Sequence, residues 1–285
     1  MRAVKTAFLL TALTLLLVLG GQAIAGRQGM TFGLIIAVAM NGIAYFFSDK
    51  IALMSSGAQP VSREQMPRLY EVMERLAAKA QLPMPKLYMI PQPAPNAFAT
   101  GRNPSHASVA VTAGLMELMN DDELEGVIAH ELSHVRNYDI LITSIAATLA
   151  GAITWIASMG RWAMIFGGYG GSRDNDRGGG GLAALLMLIV APIAALLIQL
   201  GISRQREFAA DASGARMVGH PNGLISALEK LGAYNRRIPM DVPPTTASLF
   251  IVAPLTAGQV FSGLFSTHPP LTERIAVLRN MTITR

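Results

Sequence analysis

The residues from His130 to His134 read H-E-L-S-H, and the segment before them carries a strong helix-start pattern. Asn120 is a favourable N-cap residue, and Glu123, three residues later, can complete a capping box. Acidic residues in the first turn also suit the positive end of the helix dipole. The sequence therefore predicts a helix that begins after Asn120, carries the H-E-L-S-H residues and ends near Asn137.

Residues four apart share one face of a helix, so His130 and His134 can reach a single metal ion. Glu131 lies one step round the helix and can contact a metal-bound water without binding the metal. Zinc lowers the pKa of such a water to about 7, and a carboxylate base completes the nucleophile. The pattern favours a zinc peptidase site over the alternative, a helix with two surface histidines.

Composition narrows the class of protein. The chain has 285 residues, of which 51% are hydrophobic and 14% charged, and it contains no cysteine. Soluble domains carry about a quarter charged residues, so a membrane protein is favoured. Without thiolates, His, Asp and Glu must hold any metal. The net charge of +5 indicates membrane orientation and contact with the lipid bilayer, and no aromatic-interleaved basic patch indicates nucleic-acid binding.

Four stretches without charged residues are each long enough to cross a bilayer as a helix. They are residues 6–26, 28–48, 140–160 and 178–203. The first could instead be a cleaved signal peptide, because Ala23-Ile24-Ala25 resembles a cleavage site. A second apolar stretch follows after a short turn, which favours a hairpin of two spans. The third and fourth stretches could alternatively form a buried hairpin of a soluble domain.

Lys and Arg residues set the expected orientation of these spans. They are modestly enriched at the N terminus, after the second stretch and after the fourth, which favours a cytoplasmic N terminus. Residues 49–139 and 204–285 then share the cytoplasmic side, and the Gly-rich loop 167–181 lies outside as a flexible linker. The expected organisation is an N-terminal hairpin, the first part of a peptidase domain, a second hairpin and the second part of that domain. Their bounds are 1–48, 49–139, 140–203 and 204–285.

A peptidase site with two histidines needs a third ligand and one open position. Glu207 is favoured on geometry. The first helix enters the membrane at Ile140, six residues after His134, and the fourth stretch leaves it near Leu200, seven residues before Glu207. At about 1.5 Å rise per residue, straight helices would bring both groups to about 9–10 Å above the membrane. The remaining histidines are His106, His220 and His268.

Asp211 lies one turn after Glu207 and can accept a hydrogen bond from a ligand histidine. The alternative is that Glu207 and Asp211 form a solvated face with Arg204 and Arg206.

Spacing and breaker residues predict the remaining elements. Helices are expected at 62–80, 113–119, 206–218, 223–231 and 271–278, and strands at 86–90, 96–100 and 108–112.

Four motifs together resemble one family. H-E-L-S-H, E-F-A-A-D at 207–211, P-N-A-F-A-T-G at 95–101 and H-P-P-L-T-E-R at 268–274 are similar to motifs of the HtpX family of bacterial membrane zinc proteases. These proteins are relatives of the CAAX prenyl proteases. The resemblance covers nearly the whole chain. It implies a mainly α membrane protein, with four transmembrane helices and an α+β zincin-like metallopeptidase domain.

The resemblance also implies residue roles. One zinc ion per chain would be held by His130, His134 and Glu207, with Glu131 as the base. His268 and Arg274 would lie beside the metal and Asn96 at the substrate cleft. There, His268 or Arg274 could stabilise the oxyanion of the tetrahedral intermediate. Without the resemblance, His268 is a turn residue, Arg274 pairs with Glu273 or lies in solvent, and His106 and His220 are loop residues.

The implied function is cleavage of misfolded or damaged membrane proteins on the cytoplasmic side of the bacterial inner membrane. The strand near residues 96–101 could pair with an extended substrate backbone. One rival is a scaffold whose metal only joins helices, but a structural site needs no base such as Glu131. A second rival is a transporter, which usually carries charged residues within its spans, and the four stretches here carry none.

Overall fold

The fold is given by a computed structural model that describes residues 2–151, 204–235, 237–238, 240, 242–254 and 269–283. Residues 152–160 of the third apolar stretch, all of the fourth, the Gly-rich loop and His268 lie outside these described residues. Within them, an N-terminal helical hairpin stands beside a unit built from a four-stranded sheet and several helices. The helices are α1 (Arg2–Ser55), α2 (Pro67–Ala80), α3 (Ala113–Leu118), α4 (Asp121–Arg136), α5 (Asp139–Gly151), α6 (Arg204–Val218), α7 (Asn222–Asn235), α8 (Pro244–Ala247) and α9 (Leu271–Arg279).

The sheet has the order β1-β2-β4-β3. Its strands are β1 (Gln59–Pro60), β2 (Lys86–Ile90), β3 (Ala97–Gly101) and β4 (Ala107–Thr112). β2 and β4 run parallel, while β3 pairs antiparallel with β4 and forms one edge. The three longer strands agree with the predicted ones to within one residue at each end.

α1 consists of two helical arms separated by a kink. The kink is at Ala25 and Gly26, and Gly26 has φ +58°, a conformation that glycine adopts without a steric cost. The arms then lie side by side, joined by the Asn41 side chain, which donates to Thr14 Oγ1 at 2.9 Å and to the Leu10 carbonyl at 3.2 Å. This agrees with the predicted N-terminal hairpin.

The apolar surface of α1 supports its contact with lipid. Among the described residues, Ala25–Ser55 is the one helix long and apolar enough to span a membrane, and Thr6–Gln22 and Asp139–Gly151 are shorter apolar helices. A row of large apolar side chains on the second arm is exposed. An apolar surface of this size is typical of a membrane contact. The exposed side chains are those of Phe32, Leu34, Ile35, Ile36, Val38, Ile43, Phe46 and Phe47.

α5 packs against both arms of α1. Leu9 and Leu13 of the first arm and Ala44 of the second form a buried cluster with four residues of α5. The α5 members are Ile142, Ile145, Ala146 and Leu149. The first arm is therefore packed against the rest of the described fold.

α4 is the central helix of the other unit and packs against α2, α6 and α7. Its start is as predicted. Asn120 accepts from the Glu123 amide, and Glu123 accepts from the Asn120 amide, which completes the capping box. The Oε2 atom of Glu123 that takes the Asn120 amide also accepts from Lys230 of α7, and its Oε1 atom accepts from Ser226 of α7, so the cap also joins two helices. A cap of this kind contributes about 1 kcal/mol.

Several helix boundaries differ from the sequence-based expectation, and α7 ends at Asn235 instead of residue 231. α2 begins at Pro67, not at residue 62, because proline suits the first helical position and residues 62–66 form a turn, with the Met66 amide donating to Ser62. α4 and α5 are also not one straight helix. Tyr138 between them has φ +57°, so the chain changes direction just after His134.

The contact between α4 and α6 is unusually close at one point. A Cβ atom added to Gly214 of α6 would lie 3.0 Å from the backbone nitrogen of His130 and 3.1 Å from the Ala129 carbonyl carbon. Only a residue without a side chain lets the two backbones approach this closely. Gly214 therefore sets the distance between the helix that carries His130 and the helix that carries Glu207.

We expect Gly214→Leu to push α6 away from α4 and to weaken metal binding. Overpacking a buried contact costs about 1–3 kcal/mol of stability. The test is the metal content and thermal unfolding of the purified protein. The control is Gly42→Leu, because a side chain at Gly42 would meet no atom of the described structure within 4 Å. If Gly214→Leu retained the parent's metal content, the proposed spacing role of Gly214 would be wrong.

Candidate active site

Three predicted residues come together at the junction of α4 and α6. The Nε2 atoms of His130 and His134 lie 3.2 Å apart. One carboxylate oxygen of Glu207 lies 3.8 Å from His130 Nε2, and the other lies 3.5 Å from His134 Nε2. Within the described residues, these three side chains form the group that could hold a metal ion, with ligand atoms within 4.8 Å of one another.

The spacing of these atoms fits a metal ion with tetrahedral ligands. Zinc bonds to nitrogen and oxygen are about 2.0–2.2 Å long, so ligand atoms around a tetrahedral ion lie about 3.3 Å apart. The two imidazole nitrogens, 3.2 Å apart, are close to this value, and each lies 3.5–3.8 Å from a different oxygen of Glu207. Both histidines turn their Nδ1 atoms outward to carboxylates, so their Nε2 atoms face each other as metal ligands would.

The Nδ1 atom of His130 is held by Asp211, at 2.8 Å from Oδ1. Asp211 follows Glu207 by one helical turn on α6 and is buried, as is His130. A carboxylate in this position sets the tautomer and orientation of a ligand imidazole. The structure therefore brings Asp211 to the place predicted for it, and the alternative of a solvated face for Glu207 and Asp211 is wrong, because both are buried.

The second histidine has a partner that the sequence interpretation missed. Asp139, the first residue of α5, has its Oδ2 atom 3.4 Å from His134 Nδ1 and is buried. Its other oxygen lies 3.9 Å from Arg206 Nη1. In the sequence, Asp139 is a carboxylate five residues after His134. Its position just before an apolar stretch indicates the boundary of a membrane span and does not by itself indicate a contact with His134.

Glu131 is buried beside this cluster. Burial, with a smaller contribution from the negative charge of Glu207, raises the pKa of its carboxyl group to about 7, while His134, Arg274 and the Ala99 backbone oppose the rise. α4 contacts β3, so the carboxyl group of Glu131 lies near that strand.

The pKa values of the two histidines shift in opposite directions, and the pKa of Asp211 is lowered. Burial lowers the pKa of His130. Burial also disfavours the charged form of His134, but Asp139, Glu207 and Glu131 outweigh it and raise the pKa of His134 to about 9. For Asp211, burial is outweighed by Arg274 and His130, which hold its pKa at about 2. Asp211 therefore stays ionised behind His130.

Arg274 lies on α9 and is completely buried. Its Nε and Nη2 atoms donate to the two oxygens of Asp211 at 2.8 and 2.6 Å, and its Nη1 donates to the Ile251 carbonyl at 2.9 Å. Nη1 also lies 3.6 Å from Glu207. Pairing with Glu273 or solvent exposure is thus wrong for Arg274. Its role as an oxyanion stabiliser stays a prediction.

The other predicted residues divide into three cases. Asn96 is buried and binds the backbone of Val252. His268 lies outside the described residues. His106 is exposed and contacts Arg102 and Asn103 in a turn, as expected of a loop residue, and His220 is exposed after α6.

Two histidines and a glutamate converging on one point, with a further glutamate between the histidines on the same helix, define a metal-dependent peptidase. Comparison with known proteins agrees with this class. Residues 63–282 match the model of Peptidase family M48, and the chain belongs to that family.

Relatives of nearly the same length support this assignment. A protein of Desulfatibacillum aliphaticivorans described as "Protease HtpX homolog" is 58% identical over 96% of this chain and 88% of its own length. Proteins with the same description from Thermodesulfovibrio yellowstonii and Pelotomaculum thermopropionicum are 53% and 50% identical, over 99% of this chain and 99% and 100% of their own lengths. The resemblance to the HtpX family is confirmed.

A solved structure shares the fold at lower identity. The crystal structure of S. mikatae Ste24p matches 97% of this chain with a TM-score of 0.54 and 20% identity, and this chain spans 65% of that one. The family and its protease relatives make this chain a membrane-associated metalloprotease, and a non-catalytic scaffold is not favoured.

We expect Asp139→Ala to weaken metal binding about 10- to 100-fold, the usual cost of removing the partner of a ligand histidine. The measurement is competition with a chelator of known affinity on purified protein. Asp139→Asn is the matched control, because its amide oxygen can still accept from His134 Nδ1. Equal metal affinity in the Ala variant and the parent would show that Asp139 does not orient His134.

Proposed function

We propose that the chain is a zinc endopeptidase that cuts membrane proteins at the cytoplasmic surface of the inner membrane. The observation that carries this proposal is the convergence of His130, His134 and Glu207, with ligand atoms within 4.8 Å of one another, beside Glu131 and in a fold with an exposed apolar hairpin.

One zinc ion per chain would be held by these three side chains. Zinc suits the site because the ligands are imidazole nitrogen and carboxylate oxygen, and because three ligands leave a position open, as in catalytic zinc sites. Asp211 and Asp139 fix the two imidazoles from behind, so both Nε2 atoms stay directed at the ion. When bound, the ion supplies Lewis acidity, which acidifies a water molecule and polarises the scissile carbonyl.

Glu131 is the proposed base. Its carboxylate follows His130 on α4, takes a proton from the attacking water and passes it to the leaving amine. α4 contacts β3, and the Ala99 backbone is close enough to influence this carboxylate, so the proton acceptor lies near the strand on which we place the substrate.

The substrate would lie along β3 as an added strand. Phe98 and Thr100 direct their backbone groups to β4, so those of Ala97, Ala99 and Gly101 face outward. The amide and carbonyl of Ala97 already bind Asn96 and Ile251, which leaves Ala99 and Gly101 for a peptide. Main-chain pairing holds an extended peptide with little demand on its side chains. Such broad selectivity suits an enzyme that removes misfolded or damaged membrane proteins in quality control and stress response.

The oxyanion of the tetrahedral intermediate needs a donor besides the metal. Arg274 directs its donors mainly to Asp211 and Ile251. We therefore assign the oxyanion contact to His268 and a supporting position to Arg274.

We expect Glu131→Gln to keep its metal and to lose at least about a thousandfold in the rate of peptide cleavage, because the amide cannot accept the water's proton. The measurement is hydrolysis of casein or of the protein itself in detergent, with zinc added, alongside metal analysis. Cleavage at the parent rate would exclude Glu131 as the base.

Glu207→Ala is the companion variant, and it should lose metal as well as activity. Together the two variants separate the base from a ligand. If Glu207→Ala retained both zinc and activity, the third ligand would have to be another residue.

We also expect four spans with the N terminus in the cytoplasm, which places the loop at residues 167–181 outside. The chain has no cysteine, so single replacements report topology cleanly. Ser172→Cys should react with a membrane-impermeant maleimide in intact cells. Ser105→Cys, an exposed position of the peptidase part, should react only after lysis. Labelling of Ser172→Cys only after lysis would place the second hairpin on the cytoplasmic side.

A further inference from the structure

A short segment after α8 lies against the edge strand of the sheet. We call residues 250–252 the strap. The Ile251 amide of the strap donates to the outward carbonyl of Ala97 at 2.9 Å. The ring of Phe250 packs edge-on against Phe98 of β3, with 5.0 Å between ring centroids. The strap therefore covers the first outward position of β3, between the sheet and α9.

The side chain of Asn96 fastens the strap at its other end. Its Nδ2 donates to the Val252 carbonyl at 2.8 Å, and its Oδ1 accepts from the amides of Val252 at 3.4 Å and of Ala97 at 3.1 Å. Asn96 is completely buried. Both ends of its amide are thus engaged inside the protein, and the substrate contact implied by the family resemblance stays a prediction.

The strap in turn contacts Arg274. Ile251 lies between Phe250, which packs against β3, and Val252, which Asn96 binds. The Ile251 carbonyl accepts from Arg274 Nη1 at 2.9 Å. Arg274 grips both oxygens of Asp211, and Asp211 binds His130 Nδ1 at 2.8 Å. An unbroken series of buried hydrogen bonds therefore runs from Asn96 through the strap, Arg274 and Asp211 to a proposed metal ligand.

We propose that Asn96 is a positioning residue for the metal site: it fixes the strap so that the Ile251 carbonyl holds Arg274 in the orientation that Asp211 and His130 require. This rests on the metal site of the proposed function. A guanidinium without access to water needs every donor directed at an acceptor, so a displaced carbonyl would shift Arg274 and, with it, Asp211.

The test measures metal affinity and peptide cleavage separately. Zinc affinity is measured by chelator competition in the Glu131→Gln background, where autolysis does not interfere. We expect Asn96→Ala to weaken zinc binding about tenfold, at the lower end of the range for residues behind a ligand. In the active protein we expect kcat for a peptide to fall, with KM unchanged. The strap keeps its contacts with Phe98 and Ala97, so the variant should still fold.

Thr100→Val is the matched control. It removes a buried hydrogen bond of β3, between Thr100 and Ser144 at 2.7 Å, without touching the strap. We expect zinc affinity at the parent value, although the unfolding temperature falls. A role of Asn96 in stability alone would make the two variants behave alike.

A double-mutant cycle with Asp211→Asn tests whether Asn96 affects the metal site through the hydrogen bonds of Arg274 and Asp211. If Asn96 acts through Arg274 and Asp211, then Asn96→Ala should weaken zinc binding little further once Asp211→Asn is present. Two independent, fully additive losses would overturn the route. Parent zinc affinity with a raised KM in Asn96→Ala would overturn the proposal and show a substrate contact instead. A parent protein that binds no zinc would overturn the proposed function itself.

Discussion

The carboxylate of Asp211 is shared between the guanidinium of Arg274 and the imidazole of His130, and all three groups are buried. Removing ions from water costs several kcal/mol each, which only close partners with good geometry offset. That requirement fixes three elements against one another: α4 by His130, α6 by Asp211 and α9 by Arg274. Loss of one member would leave an uncompensated buried charge, typically a cost of 3–5 kcal/mol. The positions of the metal ligands therefore follow from the contacts that stabilise the buried charges of Asp211 and Arg274.

The membrane side of the fold is tied to the same site. α5 packs on both arms of α1, and its first residue, Asp139, lies behind His134. One turn further on, Ser144 shares a buried hydrogen bond with Thr100 of β3. α5, which forms the first part of the third apolar stretch, therefore contacts both a metal-site histidine and the edge strand β3. The peptidase unit and the hairpin are parts of one packed structure, in which the first arm of α1 cannot be removed without exposing Leu9 and its neighbours.

Local features of the sequence predicted most elements, while long-range partners could not be predicted. The capping box at Asn120 and Glu123 set the start of α4, because a cap depends on residues three positions apart. The convergence of Glu207 with the histidines was also predicted, but from straight helices, whereas the chain turns at Tyr138. The partners of Arg274 lie 63 residues away at Asp211 and 23 away at Ile251. Spacing within one element carries no information on such contacts, so a nearby glutamate was the default partner.

Asn96 shows that a motif residue can be located correctly while its hydrogen-bond partners go unpredicted. Its position at the start of β3 suggests the substrate side, since the edge of that strand is where a peptide would pair. Its partner, Val252, is 156 residues away, and the strap takes the first outward carbonyl of the strand. The next outward residue, Ala99, lies near Glu131. The outward edge of β3 therefore meets, in order along the strand, the strap that supports His130, the proposed base and, in the proposed mode of binding, the peptide. A substrate that pairs at Gly101 is placed relative to the metal by the same backbone that holds the site together. Where main-chain pairing alone holds the peptide, the register of that pairing determines which peptide bond is cleaved.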